Sequence, residues 1–208
     1  MTIVAKAAEL DAYLSGLMIT FLGAKATPAF AMFDAIHQTA QNAGLRAIAK
    51  TVLSKEDHDL FSALLLLRKT AEGHRNRLAH WIWAYSEDIE DGLLLIDPPD
   101  NFAFAVRNYE RLSAGQRFSG GGDGPDRSKI LVYTKQDLQD AVEMFDRVQS
   151  WFMVFKTHVD RHLQTEPLLY RVMLSDTEFR QALARVPGAA LPPAPLSPRK
   201  KRPRPADE

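Results

Sequence analysis

The sequence predicts an all-α fold, a helical bundle carrying a small β-containing insertion and a proline-rich tail. Three observations predict it. Long stretches before residue 86 and after residue 134 repeat apolar side chains at helical spacing. Two of these stretches begin with a hydroxyl residue followed three positions later by aspartate, Ser54 with Asp57 and Thr134 with Asp137, which is how helices cap their first free amides. The short β-like runs are confined to residues 86–134 between them.

Each element follows in order. Val4, Ala8, Leu10, Leu14, Leu17, Met18 and Phe21 trace a first helix over residues 3–23, stopping around Gly23. "TPAFAMFDAIHQTAQNAG" reads as a second helix with Thr27 as N-cap and Pro28 at the first helical position. Gly44 is expected to interrupt it, leaving "LRAIAKTVL" as a further short helix or its continuation. From Ser54 a long helix runs to about Tyr85, with Leu60, Leu64, Leu67, Ala71, Leu78, Ile82 and Tyr85 on one stripe. Gly73 within it costs up to about 1 kcal/mol relative to alanine and marks a kink or a close helix contact.

Residues 86–134 then break the pattern. "GLLLIDPP", "NFAFAVRN" and "KILVYT" read as short strands of a hairpin or three-stranded flap. "SAGQRFSGGGDGPDRS" joins the last two as a flexible connector; its GGG run has no lysine–hydroxyl ending and opens no helix, so it is not a phosphate-binding loop. A long helix from Thr134 to about Gln164 turns Leu138, Val142, Phe145, Val148, Phe152, Phe155 and Val159 inward, and a short helix is expected at residues 176–185. From Pro187 onward, seven of the chain's twelve prolines fall in 22 residues, so residues 187–208 read as a disordered or polyproline tail after a helical domain at 1–186.

Composition narrows the function. The chain has no cysteine, which excludes disulfides and thiolate metal sites. Lys+Arg and Asp+Glu stand at 26 each, so any anion-binding surface is local rather than a property of the whole molecule. The apolar N-terminal stretch is interrupted by Lys6, Glu9 and Asp11 and lacks both a membrane-spanning run and a signal-peptide cleavage pattern. The expectation is a cytoplasmic protein with no membrane partner.

Several candidates carry chemistry. His158 and His162 in "HVDRH" stand at metal-ligand spacing, but without the glutamate of zinc-hydrolase helices or an obvious third ligand; a solvated helix end is the plainer reading. His37 and His58 suggest no partners, and Trp81, Trp83 and Trp151 read as core or interface residues. "PRKKRPR" in the tail reads as a solubilising end or a nonspecific contact to a nucleic-acid backbone.

The remaining stretch is "EGHRNRLAH", residues 72–80, set between two apolar runs of the long helix. On a helical wheel Glu72, Asn76 and His80 form one ridge beside the apolar stripe, and Arg75 lies near the centre of that stripe with Arg68 leaning the same way. An arginine aimed at a core is costly unless it is paired or faces a second surface. Arg77 points elsewhere as a solvated residue, and His74 is a bystander. The polar stripe has two explanations: a set of neighbours satisfying one another, with Glu72 paired to Arg75 or Arg68, or a site.

"RNRLAH", Arg75 to His80, resembles the R-x4-6-H motif of the HEPN superfamily, with Asn76 where that family often has a polar residue. The resemblance covers mainly residues 55–86 and leaves the insertion and the tail unexplained. It implies a small helical bundle that dimerises through this helix, and, as in many members, a metal-independent endoribonuclease of toxin–antitoxin or phage-defence systems, with a cognate antitoxin as a further partner and no cofactor. Arg75 and His80 leave the helix about 140° apart, so one copy is expected to grip a phosphate poorly, whereas two copies across a twofold interface would surround it. The expected chemistry is attack of a ribose 2′-hydroxyl on the adjacent phosphate. His80 would act as general base or acid, Arg75 would stabilise phosphate charge, Asn76 would orient phosphate or imidazole, and Glu72 would hold Arg75 or His80 in place. Arg68 is a weaker candidate for substrate binding. A noncatalytic module binding RNA, a nucleotide or a protein through the same face, and a dimeric helical scaffold, remain open alternatives.

Overall fold

The computed structural model describes residues 3–23, 26–36, 38–116, 125–160 and 167–190. Among them are eight α-helices: α1 (Ile3–Leu22), α2 (Ala26–Ala35), α3 (Gln38–Val52), α4 (Lys55–His80), α5 (Pro98–Ser113), α6 (Lys135–Val159), α7 (Pro167–Ser175) and α8 (Thr177–Ala184). Strands β1 (Ile82–Ala84), β2 (Gly92–Ile96) and β3 (Ile130–Thr134) form one antiparallel sheet in the order β1-β2-β3. The chain is therefore mostly helical with a small sheet.

The bundle is built on α4 and α6, which pack on each other while α1 lies against both and α8 closes over α4. The apolar spacing of α4 buries Leu60, Leu64, Leu67 and Ala71, and that of α6 buries Phe145, Val148, Phe152 and Phe155. Phe61 is central: its ring meets Phe21 edge-on at 5.4 Å and stacks on Phe155 at 5.7 Å between centroids. Such aromatic contacts add stabilisation beyond the area they remove from water. Both long helices start where their caps stand. Ser54 Oγ accepts the Asp57 amide at 3.1 Å, and Thr134 and Asp137 close a reciprocal capping box.

Several sequence expectations need correction. The long helix ends at His80 rather than near Tyr85, because Ile82–Ala84 pair with Leu94–Ile96 as a strand. The sheet thus takes its first strand from before the insertion. "NFAFAVRN" lies in helix α5, not in a strand: Asp97 precedes Pro98 and Pro99, and a proline in the first turn gives up an amide that would have no helical partner anyway. Gly44 lies inside α3, and the break comes earlier, between Ala35 and Gln38. Helix α2 already begins at Ala26, so Thr27 and Pro28 sit in its first turn instead of at its cap. Helix α7 answers to no expectation from the sequence.

The tail expected from residue 187 starts as part of the fold, since Lys55 Nζ donates to Gly188 O at 2.8 Å and Ala189 packs against the core. Residues 191–208, with the basic run, lie outside the described residues, as do the GGG run, His37 and His162. No helix among the described residues is long and apolar enough to cross a membrane.

Candidate functional site

Helix α4 changes character along its length. Its first half is core; beyond Ala71 the bundle no longer surrounds it, and Asn76, Ala79 and His80 are exposed. The helix stops because Trp81 turns extended at its C-cap, sending its amide to Arg77 O at 2.9 Å. The Trp83 indole then returns, its Nε1 donating to Leu78 O at 3.0 Å. Two carbonyls that a helix end leaves without partners are thereby satisfied.

At this open end three of the expected residues meet. Arg75 Nη1 donates to Asn76 Oδ1 at 3.0 Å and lies 3.5 Å from His80 Nε2. The angular separation of Arg75 and His80 on the wheel therefore does not keep them apart: the long arginine side chain bends along the surface and bridges the gap. Guanidinium can only donate, so this contact asks His80 Nε2 to accept, with its proton on Nδ1. A fork of donors, an amide and an imidazole lone pair on one exposed surface can bind an oxyanion and move a proton.

Glu72 and Arg68 lie apart from this group. Arg68 is 4% exposed and ties three helices together, with Nη2 2.7 Å from Asp11 Oδ1 and 2.6 Å from Glu72 Oε1, and Nη1 donating to Asn42. Among the described residues its Nε has no hydrogen-bond partner. Both Nη groups are spent inside the protein, which makes Arg68 an anchor for α1, α3 and α4 rather than a group that meets a substrate from outside. Glu72 gives its ion pair to Arg68, not to Arg75 or His80. Burial raises the Glu72 carboxyl above its ordinary range; Arg68 and Arg75 pull it down and Asp11 pushes it up.

The other flank of α4 holds a second cluster, gathered around Tyr133. Tyr133, buried on β3, accepts Arg77 Nε at 3.1 Å through its hydroxyl oxygen and stands 3.0 Å from His74 Nδ1. The His74 tautomer sets which of the two donates in the His74–Tyr133 bond. Arg77 is thus a clamp on the sheet and not a solvated residue, and His74 is no bystander. Burial, and then the Arg77 charge, lower the His74 pKa, with Asp137 opposing them. An open hollow of about 350 Å³ lies over His74, Arg77, Tyr133, Asp137 and Asp140. The signal in the sequence was Tyr133 itself, two residues from Leu131 on an alternating strand and so on the same face of the sheet.

The remaining candidates find structural partners. His158 Nε2 donates to Asp57 Oδ1 at 3.0 Å, and its ring stacks on Tyr170 at 4.2 Å. Burial, with Glu56 and Asp57 nearby, pushes the Tyr170 hydroxyl up to about 12. No group of three or more His, Asp or Glu among the described residues is arranged to hold a metal ion. Trp151 packs against the core, whereas Trp83 is exposed.

Comparison with protein-family models, with curated proteins and with solved structures finds no match for this chain. What defines its class is the fold and the site: a mostly helical bundle with a small antiparallel sheet, presenting Arg75, Asn76 and His80 at the end of its central helix.

Proposed function

We propose that the protein is a metal-independent endoribonuclease of the HEPN type, active as a homodimer, in a toxin–antitoxin or phage-defence setting. The observation that carries this is the meeting of Arg75, Asn76 and His80 on an exposed surface. The guanidinium supplies charge and paired donors for phosphate oxygens, and the imidazole supplies a proton carrier that works near neutral pH.

In the proposed reaction a histidine takes the proton from a ribose 2′-hydroxyl as its oxygen bonds to phosphorus. The bond from phosphorus to the 5′-oxygen breaks, and that oxygen receives a proton from a general acid. The products are a 2′,3′-cyclic phosphate and a 5′-hydroxyl. Attacking and leaving oxygens stand on opposite sides of phosphorus, so one imidazole cannot serve both at once. A second copy related by twofold symmetry supplies the other histidine and a second arginine without new residues. This chemical need, rather than the angle between Arg75 and His80, favours the dimer. The exposed face of α4 at Asn76, Ala79 and His80 leaves room for it.

The alternative is a noncatalytic HEPN-like module, or a dimeric scaffold, using the same face. It is favoured by the engagement of Glu72 with Arg68, which ties the glutamate expected to hold Arg75 or His80 in place to a structural ion pair instead. Incubation of a mixed-sequence RNA in EDTA with wild type, Arg75→Ala and His80→Ala separates the cases. The nuclease cleaves RNA, spares DNA and loses activity in both variants. RNA binding without cleavage by any form identifies the binding module. Neither binding nor cleavage, with changed dimerisation in the variants, identifies the scaffold. Expression of the active wild type should slow bacterial growth, and a cognate antitoxin should relieve it.

A further inference from the structure

We propose that Trp83 is the stacking platform for the base of the nucleotide next to the scissile phosphate, an inference that rests on the endoribonuclease reading. Tryptophan is large and normally well covered, so a conspicuously exposed one calls for a reason. Trp83 is 61% exposed although its backbone is paired to Leu95 in the sheet.

The ring is exposed without being loose. Its only polar atom, Nε1, donates to Leu78 O at 3.0 Å, and Leu78 lies two residues before His80 in the last turn of α4. The indole is therefore pinned to the same helix end that presents Arg75, Asn76 and His80. Three residues of chain separate Trp83 from His80, so their Cα atoms are at most about 11 Å apart. That is the scale of one nucleotide. A fork that grips phosphate beside a fixed aromatic plane is the pairing by which proteins hold single-stranded nucleic acid.

The surroundings set how far the platform extends. Beyond Tyr85 the chain carries Glu87, Asp88, Glu90 and Asp91, which repel a phosphate backbone. The strand is thus held on the arginine side, with one base reaching Trp83. Since Nε1 is committed to Leu78, the ring offers that base a π-face and no hydrogen bond. The platform accepts any base and reads none.

The test measures binding of a fluorescein-labelled mixed-sequence RNA to the full chain carrying His80→Ala, so that no cleavage intervenes. Trp83 is kept, changed to Phe, or changed to Leu, and each form is also titrated with the same RNA made abasic. Stacking predicts that Trp83→Leu weakens binding roughly 5- to 100-fold on normal RNA. The same change should have no effect on abasic RNA, and Trp83→Phe, which keeps a π-face but loses the bond to Leu78, should stay within about 3-fold of the parent. Equal losses in Phe and Leu would make Trp83 only a helix cap and overturn the proposal. So would undiminished RNA binding by Trp83→Leu, alone or with an altered oligomeric state. RNA binding by none of the forms would overturn the endoribonuclease reading as well; cleavage by an otherwise wild-type chain carrying Trp83→Leu at the wild-type rate would overturn the platform alone.

Discussion

Arg75 Nη1 lies 3.5 Å from His80 Nε2, within one copy of the chain and across the open end of α4. Because arginine only donates, the contact selects the neutral His80 tautomer with its proton on Nδ1 and its lone pair on Nε2. In the proposed reaction Arg75 turns to the phosphate and frees that lone pair for the 2′-hydroxyl. Two-bond proton–nitrogen couplings in ¹⁵N-histidine-labelled protein at neutral pH should show the Nδ1-protonated form for His80. Arg75→Ala should shift the population toward the Nε2-protonated form. An Nε2-protonated His80 in the wild type would contradict the geometry.

Arg68 is expected to matter for stability before it matters for anything else. Removing one partner from a buried charge cluster costs about 3–5 kcal/mol where the remaining charges stay buried. Asp11 and Glu72 are both partly exposed, so water can take over some of the loss. Arg68→Met should lower unfolding stability by about 2–3 kcal/mol in urea. A loss below ~0.5 kcal/mol would show that the three helices do not depend on this anchor.

Tyr133 holds the sheet to α4 through its hydroxyl and through an edge-on ring contact with His74. Tyr133→Phe keeps the ring and leaves both Arg77 Nε and His74 Nδ1 without that partner. Each group is half-buried, and the expected loss is about 1–2 kcal/mol by urea unfolding. Faster amide exchange in Ile130–Thr134 should accompany it.

His74 should make stability depend on pH. Its folded pKa lies below the ordinary histidine value, so between the two values the unfolded chain binds the extra proton. The contribution is fully present above the unfolded value of 6.5 and is lost as pH falls through the folded one. Urea midpoints measured from pH 7.5 downward should therefore fall in the wild type. In His74→Gln, which keeps a group that can hydrogen-bond to Tyr133, the fall should be shallower. An identical slope in the two proteins would remove His74 from this role.

The bundle was readable in the sequence because its signals are local. Ser54 and Thr134 announce α4 and α6, and the spacing of Leu60, Leu64 and Leu67 states which face is core. What escaped depends on partners far along the chain. Trp81–Tyr85 continues the helical stripe in its own spacing, and only its pairing to β2 makes Ile82–Ala84 a strand. "NFAFAVRN" imitates a strand because Phe102 and Phe104 stand two apart, yet Phe102, Val106 and Tyr109 lie at helical spacing on one face of α5, a face the bundle leaves exposed. The grouping of Arg75, Asn76 and His80 was legible because the three stand within six residues of one helix. Arg77 and His74 were missed because Tyr133, which explains both, stands more than fifty residues away.

The chemistry of the RNA ends tests the central claim most directly. A defined RNA is incubated with wild-type protein in EDTA, and the fragments are read by mass spectrometry. The 2′-hydroxyl mechanism predicts 2′,3′-cyclic phosphate and 5′-hydroxyl ends, and no cut where the residue on the 5′ side of the scissile phosphate carries a 2′-deoxyribose. Fragments bearing 5′-phosphate and 3′-hydroxyl ends, or an RNA left intact at protein concentrations that bind it, would contradict the account.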